Sequence, residues 1–114
     1  PEDVEEALAG NVFHRGVILG DRDERRAGGH VEDLTATVSR DGENVAVPND
    51  LESITGRIPD VVAHLARLAA AAREPIRAGD VIITGSIVPP LALAPGVTVS
   101  YELAGYPTLT VHAG

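Results

Sequence analysis

Few residues in this chain can carry chemistry, and their types and spacing narrow what that chemistry could be. In Asp80-Val81-Ile82-Ile83-Thr84-Gly85-Ser86 a β-branched apolar run ends in a glycine flanked by two hydroxyl side chains. A turn of that kind can offer backbone N–H groups and hydroxyls to a substrate carboxylate, which makes Thr84, Gly85 and Ser86 candidates for substrate binding; a plain β-turn with capped hydroxyls is the alternative. Asn11 follows Gly10, so its amide could donate to a substrate oxygen or simply serve a turn or a strand entry. His14 beside Arg15 could act as an acid/base if it faces a cavity, because its unperturbed pKa suits proton transfer near neutrality; the alternative is a strand residue on the solvent face. His64 lies four residues after Asp60 on a helical pattern, the spacing of a surface pair. His30 and His112 are isolated, with no second His or Cys at ligand spacing, so no metal site is expected from the histidines.

The composition removes much else. There is no Cys, which excludes disulfides, thiolate nucleophiles and Cys-ligated metal sites. All nine basic residues are Arg, so the chain supplies neither a Schiff-base amine nor a lysine general base. The net charge of -8 disfavours a general grip on nucleic acid phosphates or anionic lipid. No apolar run approaches the ~20 residues that span a bilayer, and a cytoplasmic location is expected. At 114 residues the chain fits a single domain, residues 1–114, and with aromatics at 3% its core must be built from Val, Leu, Ile and Ala. It starts at Pro1 rather than Met, which suggests that upstream residues have been removed and that it is part of a longer gene product.

Positioning these residues falls to a small set of elements. Glu2 to Ala9 is acidic and helix-prone, and Val12 to Leu19 reads as a strand closed by Gly20. Six consecutive charged residues, Asp21 to Arg26, followed by Ala27-Gly28-Gly29, read as an exposed, self-compensating loop. Alternation from Val31 to Ser39, the dipeptide Asp41-Gly42 and the returning Val45-Ala46-Val47 predict a hairpin. Ile58, Val61, Val62, Leu65, Leu68, Ala69 and Ala72 recur at three- and four-residue steps, giving an amphipathic helix over about Pro59 to Arg73 whose apolar face is expected in the core. Val81 to Ile83, Val97 to Leu103 and Thr108 to His112 complete the strands. The class is α+β: a mostly antiparallel, curled, β-rich sheet with one main amphipathic helix.

The C-terminal third then shows a resemblance. Ala78-Gly79-Asp80-Val81-Ile82-Ile83-Thr84-Gly85-Ser86, Ala94-Pro95-Gly96-Val97-Thr98-Val99 and Gly105-Tyr106-Pro107-Thr108-Leu109 resemble, in that order, the end of the fumarylacetoacetate hydrolase superfamily. Gly85-Ser86-Ile87-Val88-Pro89 is closest to the branch of 2-keto-4-pentenoate hydratases and 4-oxalocrotonate decarboxylases. The likeness extends upstream through Gly16 to Asp21, the hairpin and the helix segment Val61 to Ala66.

The resemblance implies a mixed β-sheet roll and a lyase of aromatic catabolism that hydrates or decarboxylates a small 2-oxo-4-enoate, with Thr84, Gly85, Ser86 and Asn11 holding substrate. It also implies magnesium, with ligands (three carboxylates) and a catalytic Lys that lie upstream of the matched region, outside this chain. It further implies a homo-oligomer or a missing N-terminal portion as partner. Two departures stand out. Gly10-Asn11-Val12-Phe13 keeps only the Asn of the family's Asp-Asn-Ala-Ser segment, and Asp50 and Glu52 replace a Gly/Ala-rich cavity lining, where two carboxylates would repel an anionic substrate unless a metal or Arg offset them. These leave open a non-catalytic binding or assembly module that retains the fold, and, within the family, acylpyruvate C–C hydrolysis.

Overall fold

The computed structural model describes residues 15–114. Strand β1 (Ala36–Arg40) turns through Asp41 and Gly42 into β2 (Glu43–Ala46). Both turn residues have positive φ, 49° and 84°, the combination that a two-residue turn of matching twist requires and that Asp-Gly supplies at low steric cost. A register shift between Val38 and Ser39 marks a bulge in this hairpin. Strands β3 (Thr98–Leu103) and β4 (Leu109–His112) join it in the order β2-β1-β3-β4, and all three ladders are antiparallel. The mixed sheet implied by the resemblance is therefore absent among the described residues; the antiparallel reading of the alternation holds.

Pairing register sorts the side chains. Val38 lies opposite Tyr101, and Ala36 opposite Leu103, so the apolar residues of β1 and β3 share one face. On the other face Ser39 lies opposite Ser100, which lies opposite Thr110. The core sits on the apolar face: Leu34, Ala36 and Leu51 are buried, and Val31, Ile87, Tyr101, Leu103 and Tyr106 pack against them.

Helix α1 (Ile58–Ala71) begins beside Gly28-Gly29 and carries Pro59 in its first turn. None of its residues is buried, and Leu65 and Leu68 are exposed, so the core position expected for its apolar face is not realised among the described residues. No helix there is long and apolar enough to cross a membrane.

Two stretches expected as strands are unpaired. Val17, Ile18, Leu19, Val81 and Ile83 are between 53% and 62% exposed, and neither stretch lies in a ladder with a described strand. A β-branched run becomes a strand only where another strand takes its N–H and C=O groups, and no described segment supplies one. The expected strand from Val31 also starts late, because Leu34 N–H donates to the Val31 carbonyl in a turn that sends both side chains into the core. Residues 1–14, including the expected helix at Glu2 to Ala9, lie outside the described part.

Candidate active site

The Thr84-Gly85-Ser86 turn sits where two loops meet. Gly85 has φ of +123°, and a Cβ placed on it would lie 2.5 Å from Thr55 Cγ2, so only glycine fits this contact. The loop that carries Thr55 is fixed from both ends. Leu51 is buried in the core, and the Glu52 carboxylate accepts the Ile58 N–H at 2.5 Å, capping the start of α1, whose N-cap residue Arg57 makes no side-chain cap bond. Asp50 Oδ1 accepts the Glu52 N–H at 3.0 Å. On the other side of the turn, Ile87 packs against the core cluster.

Gly85 and Ser86 border an open groove of about 500 Å3 over the apolar face of the sheet. Neither their backbone N–H groups nor the Ser86 hydroxyl has a hydrogen-bond partner among the described residues. The turn thus presents exposed donors beside an open groove, and backbone N–H groups of such a turn can receive an anion. Thr84 is half-buried and does not border the groove. Neither Asp50 nor Glu52 borders the groove, and each carboxylate accepts a backbone N–H, one in an Asx turn and one at the start of the helix. Asn11 and His14 lie outside the described residues, so the structure brings together only Gly85 and Ser86 of the predicted set. Thr55 was missed, and no local signal in the sequence links it to Gly85, thirty positions on.

A second cavity, of about 430 Å3, is lined by Asp23, Arg25, Arg26, His30 and Tyr106. Its charged groups are already bonded to one another. Tyr106 Oη donates to Asp23 Oδ2 at 2.5 Å and accepts from Arg26 Nε at 2.9 Å; the Arg26 guanidinium also donates twice to Asp33, at 2.7 and 3.1 Å. The charged run read as a solvated loop is therefore a short 3-10 turn at Glu24–Arg26, pinned to the β3–β4 connection. The remaining histidines are also accounted for. His64 is exposed on α1 and His112 Nδ1 is 2.8 Å from Thr98 Oγ1.

Hydrogen bonds from the Arg25 side chain and from Tyr106 hold the Asp23 carboxyl far below the usual carboxylate range, and Arg26 lowers that of Asp33. A carboxylate depressed in the folded state contributes stability that is complete above its unfolded pKa of about 3.9 and is lost as pH falls toward the folded value. Stability should therefore decline below about pH 4, and Asp23→Asn should make that acid decline shallower. Urea midpoints at pH 7 and pH 3 check this; equal losses in the two proteins would refute it.

The family model for the fumarylacetoacetate (FAA) hydrolase C-terminal region matches residues 4–112, a span that includes the Gly85 turn, the hairpin and both C-terminal strands. The chain belongs to the fumarylacetoacetate hydrolase family. Membership in the fumarylacetoacetate hydrolase family points to a metal-dependent enzyme of hydrolase or lyase type. The residues described here do not fit such a metal, since no three His, Asp or Glu among them come together as an ion-holding group. Asp23 and Asp33 are bound to guanidinium groups instead.

Proposed function

We propose that this chain forms the substrate-holding part of a cytoplasmic lyase that hydrates or decarboxylates a 2-oxo-4-enoate, and that the family's roll and its carboxylate ligands for magnesium are completed by residues outside those described, in the same polypeptide or in another copy. The observation that supports the reading is the Gly85–Ser86 turn, which borders the groove with its donors free of partners among the described residues. Backbone N–H groups fixed in place can receive a carboxylate or an enolate oxygen without reorganising, which favours the form in which charge develops. Gly85 and Ser86 orient the acid in this reading, and Thr55 keeps the turn in position. Asn11 and His14 remain proposed contributors, as substrate ligand and acid/base.

Full-length protein with magnesium should consume 2-hydroxypenta-2,4-dienoate, followed by loss of the dienol absorbance, and a chelator should stop it. Inertness toward this compound and several other 2-oxo acids would sink the proposal. Cleavage of acylpyruvates with no turnover of the dienol would move it to C–C hydrolysis. A non-catalytic assembly module is the second reading, favoured by the exposed apolar residues at Val17 to Leu19 and Val81 to Ile83, which a partner would cover. It predicts magnesium binding no tighter than that of any acidic surface.

A further inference from the structure

Residues 81–93 cross the molecule with little to hold them. None of them is buried, and apart from the Ala92 carbonyl no backbone group in the stretch is hydrogen-bonded among the described residues. A turn closed by Asp80 N–H and the Arg77 carbonyl precedes it, and after it Gly96 N–H donates to the Ala113 carbonyl, next to β4. Between these points two holds keep the stretch on the sheet. Ile87 packs against the core cluster, and Arg40 Nη2 donates to the Ala92 carbonyl at 3.2 Å.

Arg40 itself stands on a fixed base. It is the last residue of β1, paired with Val99 on one side and Glu43 on the other. Just beyond it Asp41 N–H donates to the Thr98 carbonyl, while Thr98 N–H donates to Asp41 Oδ1. The guanidinium, however, is poorly served by its contact with the stretch. Its Nε is shut off from water and has no hydrogen-bond partner among the described residues. The two nitrogens do not balance: the Nη2 bond exchanges a water partner for a carbonyl and so nets little, whereas Nε gives up its water and receives nothing. A segment with few bonds and no buried residue is also one that opens at low free energy.

We infer that residues 81–93 form a strap that lifts from the sheet as a unit, and that the enclosed Arg40 Nε sets how readily it does so. Lifting exposes Ile87 and returns Nε to water, so Arg40 acts as a release rather than a tether. The strap carries Gly85 and Ser86, and its motion would move that turn; the inference stands whether or not the turn holds an acid.

Lysine supplies the test, because it places a methylene where Arg40 has Nε and keeps a cationic donor beyond it. The full chain is digested under native conditions with a low concentration of thermolysin, so that cleavage within residues 81–93 follows the population of the lifted strap. Arg40→Lys should slow that cleavage at least about fivefold, and Ile87→Ala, which frees the other hold, should speed it. Cleavage at the exposed run Val17 to Leu19 should not change in either variant. Equal or faster cleavage of the strap in Arg40→Lys would make Arg40 a tether or a bystander and overturn the inference. Cleavage indifferent to Ile87→Ala would show that the strap does not lift as a unit, and would overturn it as well.

Discussion

Gly85→Ala is expected to cost about 2–5 kcal/mol of stability and to lower the melting temperature by roughly 10 °C or more. Two effects add. A non-glycine residue held at positive φ costs on the order of 1–2 kcal/mol, and here φ is +123°. The new methyl would also meet Thr55 Cγ2 at 2.5 Å and Thr55 Cβ at 3.4 Å, and overpacking of this kind costs about 1–3 kcal/mol. A loop free to retreat would relieve the clash. This one is held by buried Leu51 and by the bond from Ile58 N–H to Glu52, so retreat is costly. The companion variant Thr55→Ser removes the clashing methyl and leaves the backbone strain, so the double variant should recover about half of the loss. Thermal unfolding of the four proteins decides it. A drop of only one or two degrees for Gly85→Ala would mean that Thr55 does not pin the turn.

What the sequence reveals of this molecule is what local chemistry writes into it. Asp41-Gly42 specifies its own turn, and the periodicity from Ile58 onward specifies α1 to within two residues of its ends. The apolar alternation places Ala36 and Val38 inward. Failures occur where the outcome depends on a distant partner. Val17 to Leu19 and Val81 to Ile83 have the side chains of strands, but pairing is a property of two segments, and the second is not among the described residues. The charged run at Asp21 to Arg26 shows balance of charge, not that Tyr106, eighty residues beyond Arg26, would complete its bonding. Glu52 illustrates the same limit. In the sequence it is an acid in a cavity lining that should lack one; in the structure its carboxylate caps a helix six residues on. The candidate site is legible as a turn through Gly85-Ser86, whereas the residue that fixes it, Thr55, emerges only from the fold.

Leu51→Ala should be as damaging as the glycine replacement, and for a different reason. Among the described residues only Leu34, Ala36, Val38 and Leu51 form the buried apolar set, so one leucine is a large share of it. Removing a buried leucine side chain costs about 2–5 kcal/mol, because contacts are lost and the hole left behind closes only in part. Leu68→Ala, at 55% exposure on α1, removes the same atoms from a site that water already reaches, and should cost less than about 1 kcal/mol. The contrast between the two, measured by urea unfolding, tests whether the core lies where burial places it. The Leu51 loss should also propagate. Leu51 holds the near end of the loop that presses Thr55 on Gly85, so with Ala at position 51 the loop can yield, and Gly85→Ala should then cost less than it does in the parent protein. Strictly additive losses would show that the bond from Ile58 N–H to Glu52 fixes the loop without help from the core, whereas a coupling of about 1 kcal/mol would show that core packing sets the geometry of the substrate turn.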